Sequence, residues 1–350
     1  MVTPRKISVV LVDDSSVIRG ALSRILQTDD NIDIVGSVAN GEMGISIAKQ
    51  KKPDVMILDV EMPVMDGLSA LPKILEGSPD TKVVMCSSLT AKGANITMKA
   101  MALGAVECLV KPSSSQETGP NSPFQRTLLN LVNTLGKQPE APSTPTQRTP
   151  IQSTRGTTSA APKTAGSKSF TLKNDSLAFK GKPSILAIGS STGGPQALFH
   201  VLKNIGKPDI PIVITQHMPA TFTKILADHI QQQTGIETHE GADGMLVENG
   251  KIYVAPGGKH MLFSQQGPSL KIKLDDGPAE NFCKPAVDPM LRSLIEIYGK
   301  KVLCAILTGM GHDGLKGARG LVEGGGRVIA QDEESSVVWG MPGAVAMDGI

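Results

Sequence analysis

Cysteine is scarce in this chain. Its four cysteines, Cys86, Cys108, Cys283 and Cys304, show no CxxC and no Cys/His ligand spacing, which argues against a zinc site or a disulfide framework. Three of them sit within or beside apolar runs and read as small core residues in a reducing compartment. No run approaches the roughly 18 apolar residues of a membrane span, so membrane insertion is not expected. The opening MVTPRKISVVLVDD has too short an apolar stretch for a signal peptide and continues into a strand. Charge of one sign is also lacking. The 35 Lys+Arg against 33 Asp+Glu leave a formal +2, and no basic block or helix-turn-helix pattern points to a nucleic-acid partner. A cytoplasmic location is the expectation.

What is present is a series of short apolar runs bounded by Gly- and Pro-containing segments, the pattern of buried parallel strands. The 350 residues favour about two domains. In the first, residues 5–137, five strands alternate with helices. Ile7–Val12 ends on Asp13-Asp14, Val55–Leu58 on Asp59, Val83–Cys86 on Ser87-Ser88 and Val106–Val110 on Lys111-Pro112. Helical stripes run through Ser15–Gln27, with Ser15 or Ser16 as cap, and through Pro123–Leu135. Within the expected linker, residues 138–182, the run Gln138–Ser169 is rich in Pro, Thr, Ser, Ala and Gln with Ile151 as its only large apolar residue, the composition of a flexible tether. Residues 183–350 return to strand–helix alternation, with Gly250–Asp276 as an antiparallel insertion. The expected fold class is therefore α/β: a five-stranded doubly wound domain, a linker, and a second doubly wound parallel sheet. The chain stops at MDGI without a polar tail, which leaves room for a further short segment.

Three runs in the second domain end on different catalytic residue types. Ser184–Gly189 runs into Ser191, Ile210–Gln216 into His217, and Val302–Gly309 into Gly311-His312-Asp313. Residues just past the strand carboxyl ends line the working crevice of an open α/β sheet, and a serine, a histidine and an aspartate delivered there are the parts of a nucleophilic hydrolase. Gly189-Ser190-Ser191-Thr192-Gly193 has the G-x-S-x-G form of a nucleophile turn. The motif's central position selects Ser191, with Ser190 its neighbouring rival. The same loop would also serve as a phosphate cradle. His217 alone among the six histidines follows an apolar strand of the same sheet; His200, His229 and His239 read as surface residues. Asp313 is the better partner for His217, with Asp288 the rival, and the Met310 N–H is the candidate oxyanion donor. The order Ser, His, Asp differs from that of α/β-hydrolases.

In the first domain, Asp13, Asp14 and Asp59 at adjacent strand ends make an oxygen-rich site suited to a hard divalent cation such as Mg2+. With Lys111 and Ser87 beside them, phosphoryl transfer to an aspartate is the better reading than a solvated acidic rim.

Both halves resemble one family, the chemotaxis protein-glutamate methylesterases that carry a receiver domain. LVDDS, LDVEMPVMDG, VMCSS and LVKP are similar to the receiver motifs. The resemblance implies Asp59 as phospho-acceptor, and Asp13, Asp14, Asp59 and the Glu61 carbonyl as Mg2+ ligands. It further implies Ser87 as switch hydroxyl and Lys111 as phosphoryl-binding cation. GSSTGGP, TQHMP, YVAPGGKH and LTGMGHDG are similar to the esterase motifs, which implies Ser191, His217 and Asp313 as a triad, Met310 in the oxyanion hole, and no cofactor in the esterase site. CKPAVD departs from the family pattern, with Lys284 and Ala286 where arginine and serine are expected. The implied substrates are methyl esters of glutamate, and glutamine amides, on the helical cytoplasmic domains of chemoreceptors. The implied phosphodonor is the chemotaxis histidine kinase. The resemblance also implies that the unphosphorylated receiver packs over the catalytic crevice. Two readings from other classes compete: a phosphorylation-dependent adaptor with an inert second domain, and a nucleotide-binding reductase. The second lacks an acidic ribose partner about 20 residues after the glycine loop.

Overall fold

The computed structural model describes residues 5–88, 90–112, 118–136 and 181–350. The expected linker, 138–182, lies outside these except for its last two residues.

The apolar runs of the N-terminal half pair as parallel strands because both of their faces can be buried under helices. β1 (Ile7–Val12), β2 (Ile32–Val38), β3 (Val55–Asp59), β4 (Lys82–Ser87) and β5 (Glu107–Val110) form one sheet in the order β2-β1-β3-β4-β5. Between them run α1 (Ser16–Leu26), α2 (Gly41–Lys51), α3 (Gly67–Gly77) and α4 (Ala91–Ala102), and α5 (Pro123–Leu135) closes the unit. Alternate strand residues feed two cores. Val9, Leu11, Ile57 and Val84 pack with α1 and α5 residues, whereas Val10, Val12, Met56, Leu58, Val83 and Met85 face residues of α2–α4. Ser15 is the cap of α1, its Oγ accepting the Ile18 N–H at 3.3 Å; such a cap contributes about 1 kcal/mol.

The C-terminal half builds a six-stranded parallel sheet. Its strands are β6 (Ile185–Ser190), β7 (Ile212–Gln216), β8 (Thr238–Glu240), β9 (Ile252–Val254), β12 (Val302–Ile306) and β13 (Arg327–Ala330), in the order β13-β12-β6-β7-β9-β8. The helices are α6 (Gly194–Ile205), α7 (Ala220–Thr234), α8 (Val287–Tyr298), α9 (Leu315–Glu323) and α10 (Met341–Met347). β10 (His260–Gln266) and β11 (Ser269–Asp275) form a separate antiparallel ribbon. The antiparallel insertion is thus narrower than Gly250–Asp276. β9 lies inside that span but joins the main sheet in parallel with β7 and β8. Three residues are too short a run to show which neighbours a strand will choose.

The two sheets are packed through α4 and β5. Ala94 and Met98 of α4 are fully buried among Leu186, Leu198, Phe199, Phe222 and Leu226 of the second unit. In the opposite direction Val338, with Val337 and Met310 beside it, packs against the α1/α5 core of the first. His229, read from sequence as a surface residue, is buried on α7, where burial and the nearby Lys99 of α4 lower its pKa. A polar helix position became interior because another domain covers it.

Candidate active site

β6 delivers two serines to the edge of the sheet, and their surroundings separate them. Ser190 is fully buried and its hydroxyl donates to Gln216 Oε1 at 2.6 Å. Ser191, one step further, is partly exposed, and its hydroxyl carries no hydrogen bond among the described residues. Its amide donates to Thr308 O at 3.0 Å, which ties the loop after β6 to the loop after β12. Gly193 follows at φ +76°, a left-handed conformation costly to any residue with a Cβ. Gly309 approaches so closely that a Cβ there would lie 2.7 Å from the Ser191 Cβ. The next residue, Met310, has an N–H without a hydrogen bond among the described residues, so a free donor lies one residue beyond the Ser191 contact.

His217 follows β7, and its amide donates to Ser190 O at 3.1 Å. Its Nε2 meets Asp313 Oδ2 at 2.8 Å. Asp313 is itself surrounded by donors: the amides of Val287 (2.6 Å), Asp288 (3.2 Å) and Gly314 (3.0 Å), and the Asn281 side chain (2.8 Å). Burial works to raise the Asp313 pKa, but the His217 hydrogen bond and these donors hold it below the ordinary carboxylate range. Burial likewise works to lower the pKa of His217. The hydrogen bonds to Asp313 and to Cys283 prevail and push it up to about 9. The nitrogen left to serve a nucleophile is Nδ1, and here it faces Cys283 Sγ at 3.3 Å. Among the described residues no Ser191–His217 hydrogen bond is formed; catalytic contacts are often loose before substrate binds.

Asp288, the rival aspartate, is fully buried and accepts from the Gly317 amide and the Asn281 side chain. Burial and the neighbouring Asp313 raise its pKa. It braces the Asp313 loop and makes no hydrogen bond to His217. Sequence reasoning missed Gln216, Asn281 and Cys283. Gln216 bridges the ends of β6 and β7, donating also to Ser191 O at 2.9 Å. Asn281 ties Asp288 to Asp313, and Cys283 touches the imidazole. A short mixed stretch such as Glu280-Asn281-Phe282-Cys283 holds no periodic signal that would have revealed the last two. Lys284, one of the two departures, donates to the carbonyls of Asp276 and Gly277.

The N-terminal unit reaches this crevice. The Gly193 amide donates to Val106 O at 2.9 Å, and the Gln196 side chain donates to Ala105 O. Glu107, at the start of β5, has its pKa raised by burial against the opposing pull of the Thr192 hydroxyl and of His217. A carboxylate of the N-terminal unit therefore lies within electrostatic reach of the imidazole.

At the carboxyl ends of β1 and β3, Asp13 and Asp59 are buried while Asp14 is exposed, and their carboxylates can bring oxygens within 4.8 Å of one another. Lys111 Nζ lies 2.8 Å from both Asp13 Oδ2 and Asp59 Oδ2. Burial raises the Asp59 pKa against the pull of Lys111. An all-oxygen donor set of this span fits Mg2+. The Glu61 amide donates to Asp59 Oδ1 at 3.4 Å, and its carboxylate pairs with Lys92. Ser87 is buried, with its hydroxyl 3.2 Å from the Thr97 hydroxyl of α4 and 3.9 Å from Cys108 Sγ of β5. Among the described residues, no helix is long and apolar enough to cross a membrane.

Comparison with known proteins sorts the two halves. Residues 9–118 match the response regulator receiver domain and residues 186–350 the CheB methylesterase. A protein-glutamate methylesterase/protein-glutamine glutaminase of a group 2 operon from Rhodospirillum centenum is 49% identical, over 98% of this chain and 89% of its own length. The protein-glutamate methylesterase/protein-glutamine glutaminase of Azospirillum brasilense is 47% identical, over 98% and 88%. The solved CheB methylesterase catalytic domain of Thermotoga maritima is 43% identical, covers 48% of this chain and 89% of its own, and superposes with a TM-score of 0.47.

Proposed function

This chain belongs to the CheB methylesterase family, with a receiver domain ahead of the esterase, and we propose that its ester hydrolysis runs through Ser191, His217 and Asp313. It is a protein-glutamate methylesterase and protein-glutamine glutaminase under phosphorylation control. The substrates are methylated glutamates and certain glutamines on chemoreceptor cytoplasmic segments, the phosphodonor is the chemotaxis histidine kinase, and the location is cytoplasmic. The observation that carries the triad is the pairing of an uncommitted Ser191 hydroxyl with a His217–Asp313 couple at neighbouring strand ends.

Ser191 Oγ attacks the ester carbonyl carbon and gives its proton to His217. The tetrahedral oxygen is held by the Met310 N–H. Collapse expels methanol, which takes the proton from His217, and a water activated the same way hydrolyses the glutamyl-enzyme. With glutamine the leaving group is ammonia. Asp313 keeps the imidazole oriented and stabilises its charged form throughout.

Control begins at Asp59. Asp13, Asp14, Asp59 and the Glu61 carbonyl would hold Mg2+, which neutralises charge on a phosphoryl group as it is transferred. Lys111 grips the phosphoryl oxygens, and Ser87 turns from Thr97 toward them. That movement loosens the α4 and β5 contacts that close the crevice in the resting state.

The test is methanol release from methylated receptor fragments by the intact protein and by Ser191→Ala, each with and without a small phosphodonor and Mg2+. Release that is stimulated by the donor and lost in the variant supports the proposal. Release that survives in Ser191→Ala overturns the nucleophile, and no release at all favours the inert adaptor.

A further inference from the structure

Residues 280–283 form a two-residue reverse turn: Glu280 and Cys283 exchange both backbone hydrogen bonds, at 3.1 and 2.8 Å. The two residues between them have φ of +51° (Asn281) and +65° (Phe282). Such a turn favours Asn-Gly, since both central residues are left-handed. Asn fits the first place. A bulky side chain at the second is a conformational outlier that glycine would relieve.

Three of the four turn residues are held by side-chain contacts. Glu280 pairs with Arg292, Asn281 donates to Asp313 and Asp288, and Cys283 lies against His217 Nδ1. The flanking chain is fixed too, because the His260 ring contacts the Pro278 carbonyl and the Ala286 amide. Phe282 alone points away, with a relative exposure of 103%. Phe199, Phe222 and Phe263 are buried. The chain thus keeps an aromatic residue where the backbone disfavours it and where it adds nothing to the core, next to the residue that touches the general base. Outliers of this kind gather at ligand contacts, where the surroundings hold them in place.

We propose that Phe282 is a substrate-docking side chain, gripping an apolar residue of the polypeptide beside the scissile glutamyl ester. The inference rests on the methylesterase reading above and goes beyond it by naming a specificity contact. The turn's backbone is held by its own hydrogen bonds and its neighbours' contacts, so binding would have to order the ring but not the loop that carries it. The ring is fully exposed while the receiver is packed on the crevice, so it lies outside the receiver's footprint. It is therefore available before activation as well as after.

The experiment is steady-state kinetics of the full-length protein on a methylated receptor cytoplasmic fragment, with and without phosphodonor. Covering a phenyl ring predicts that Phe282→Ala raises KM about tenfold, with kcat retained. The same factor should appear in both phosphorylation states, and Phe282→Leu should restore most of the loss. Phe282→Gly should share the KM defect yet melt at or above the wild-type temperature, because glycine accepts the left-handed backbone. An unchanged KM in Phe282→Ala overturns the proposal. So does a loss of melting temperature in Phe282→Gly that accounts for the kinetic defect, or a change confined to self-association by sedimentation. Absence of methanol release by the wild type would instead strike the methylesterase reading itself.

Discussion

The amide of Gly193, two residues past the candidate nucleophile, donates a 2.9 Å hydrogen bond to the carbonyl of Val106 in the receiver. One backbone bond thus joins the nucleophile loop to the start of β5, the strand whose end carries Lys111. α4 fastens the same contact from the side, with Met98 fully buried in the esterase core. Met98→Glu would bury an unpaired carboxylate there, which is severely unfavourable unless the domains separate. The expected outcome is unstimulated methanol release raised about tenfold or more, since each 1.4 kcal/mol of lost docking is tenfold. Deleting residues 1–137 should reproduce the rise.

His217 predicts a pH profile. It must be neutral to accept the serine proton, and its pKa is pushed up to about 9 by Asp313 and Cys283 against the opposing effect of burial. The kcat/KM of the unphosphorylated protein should therefore climb with pH and level off above about 9. Cys283→Ala removes one of the raising contacts and should move the limb to lower pH. The same shifts tie folding to pH. The raised His217 pKa stabilises fully below the unfolded value of 6.5, a contribution lost as pH rises through about 9. The lowered Asp313 pKa stabilises above 3.8 and loses its effect as pH falls. The melting-temperature gap between wild type and His217→Gln should be widest between those limits.

Asn281 holds two buried carboxylates with one amide group. Asn281→Gly keeps the left-handed backbone available and deletes the donor. Leaving the acceptors unsatisfied should cost about 1–3 kcal/mol, read as a lower melting temperature. The kcat should fall about tenfold or more as Asp313 loses its fixed orientation.

Phosphodonor stimulation, taken as the ratio of stimulated to unstimulated methanol release, should fall to one in Asp59→Asn. Chelating divalent cations should do the same to the wild type. Thr97→Val removes the hydroxyl that Ser87 faces in the resting state while keeping its volume. It should raise the unstimulated rate and shrink the ratio.

The inner receiver strands β1, β3 and β4 were legible because they are largely buried on both faces, whereas the half-buried edge strand β2 was not located from the sequence. Ile7–Val12, apolar except for Ser8 and ending on two aspartates, is a strand with the boundaries read from sequence. Pro123–Leu135 was equally plain from its 3.6-residue apolar stripe, and the structure adds a Ser122 cap and a proline in the first turn. β9 was not, because three apolar residues carry no information about which sheet they join. His229 was misread because the apolar moment of α7 records its own core, and the face that α4 covers carries a polar residue.

The sequence by itself determined which chemical groups arrive at strand ends. Buried parallel strands need apolar runs, and the first polar residues after them fall in one crevice. What only the tertiary structure decided is how those groups are held. The motif's centre favoured Ser191 but left Ser190 as a rival, and Gln216 on a neighbouring strand occupies Ser190. Asp313 and Asp288 both sit in plausible turns; loop packing sets one against His217 and closes the other behind Asn281. The contacts of Cys283 with the imidazole and of Val106 with Gly193 span 66 and 87 residues. Neither follows from a local period, since such contacts exist only after distant parts of the chain have packed.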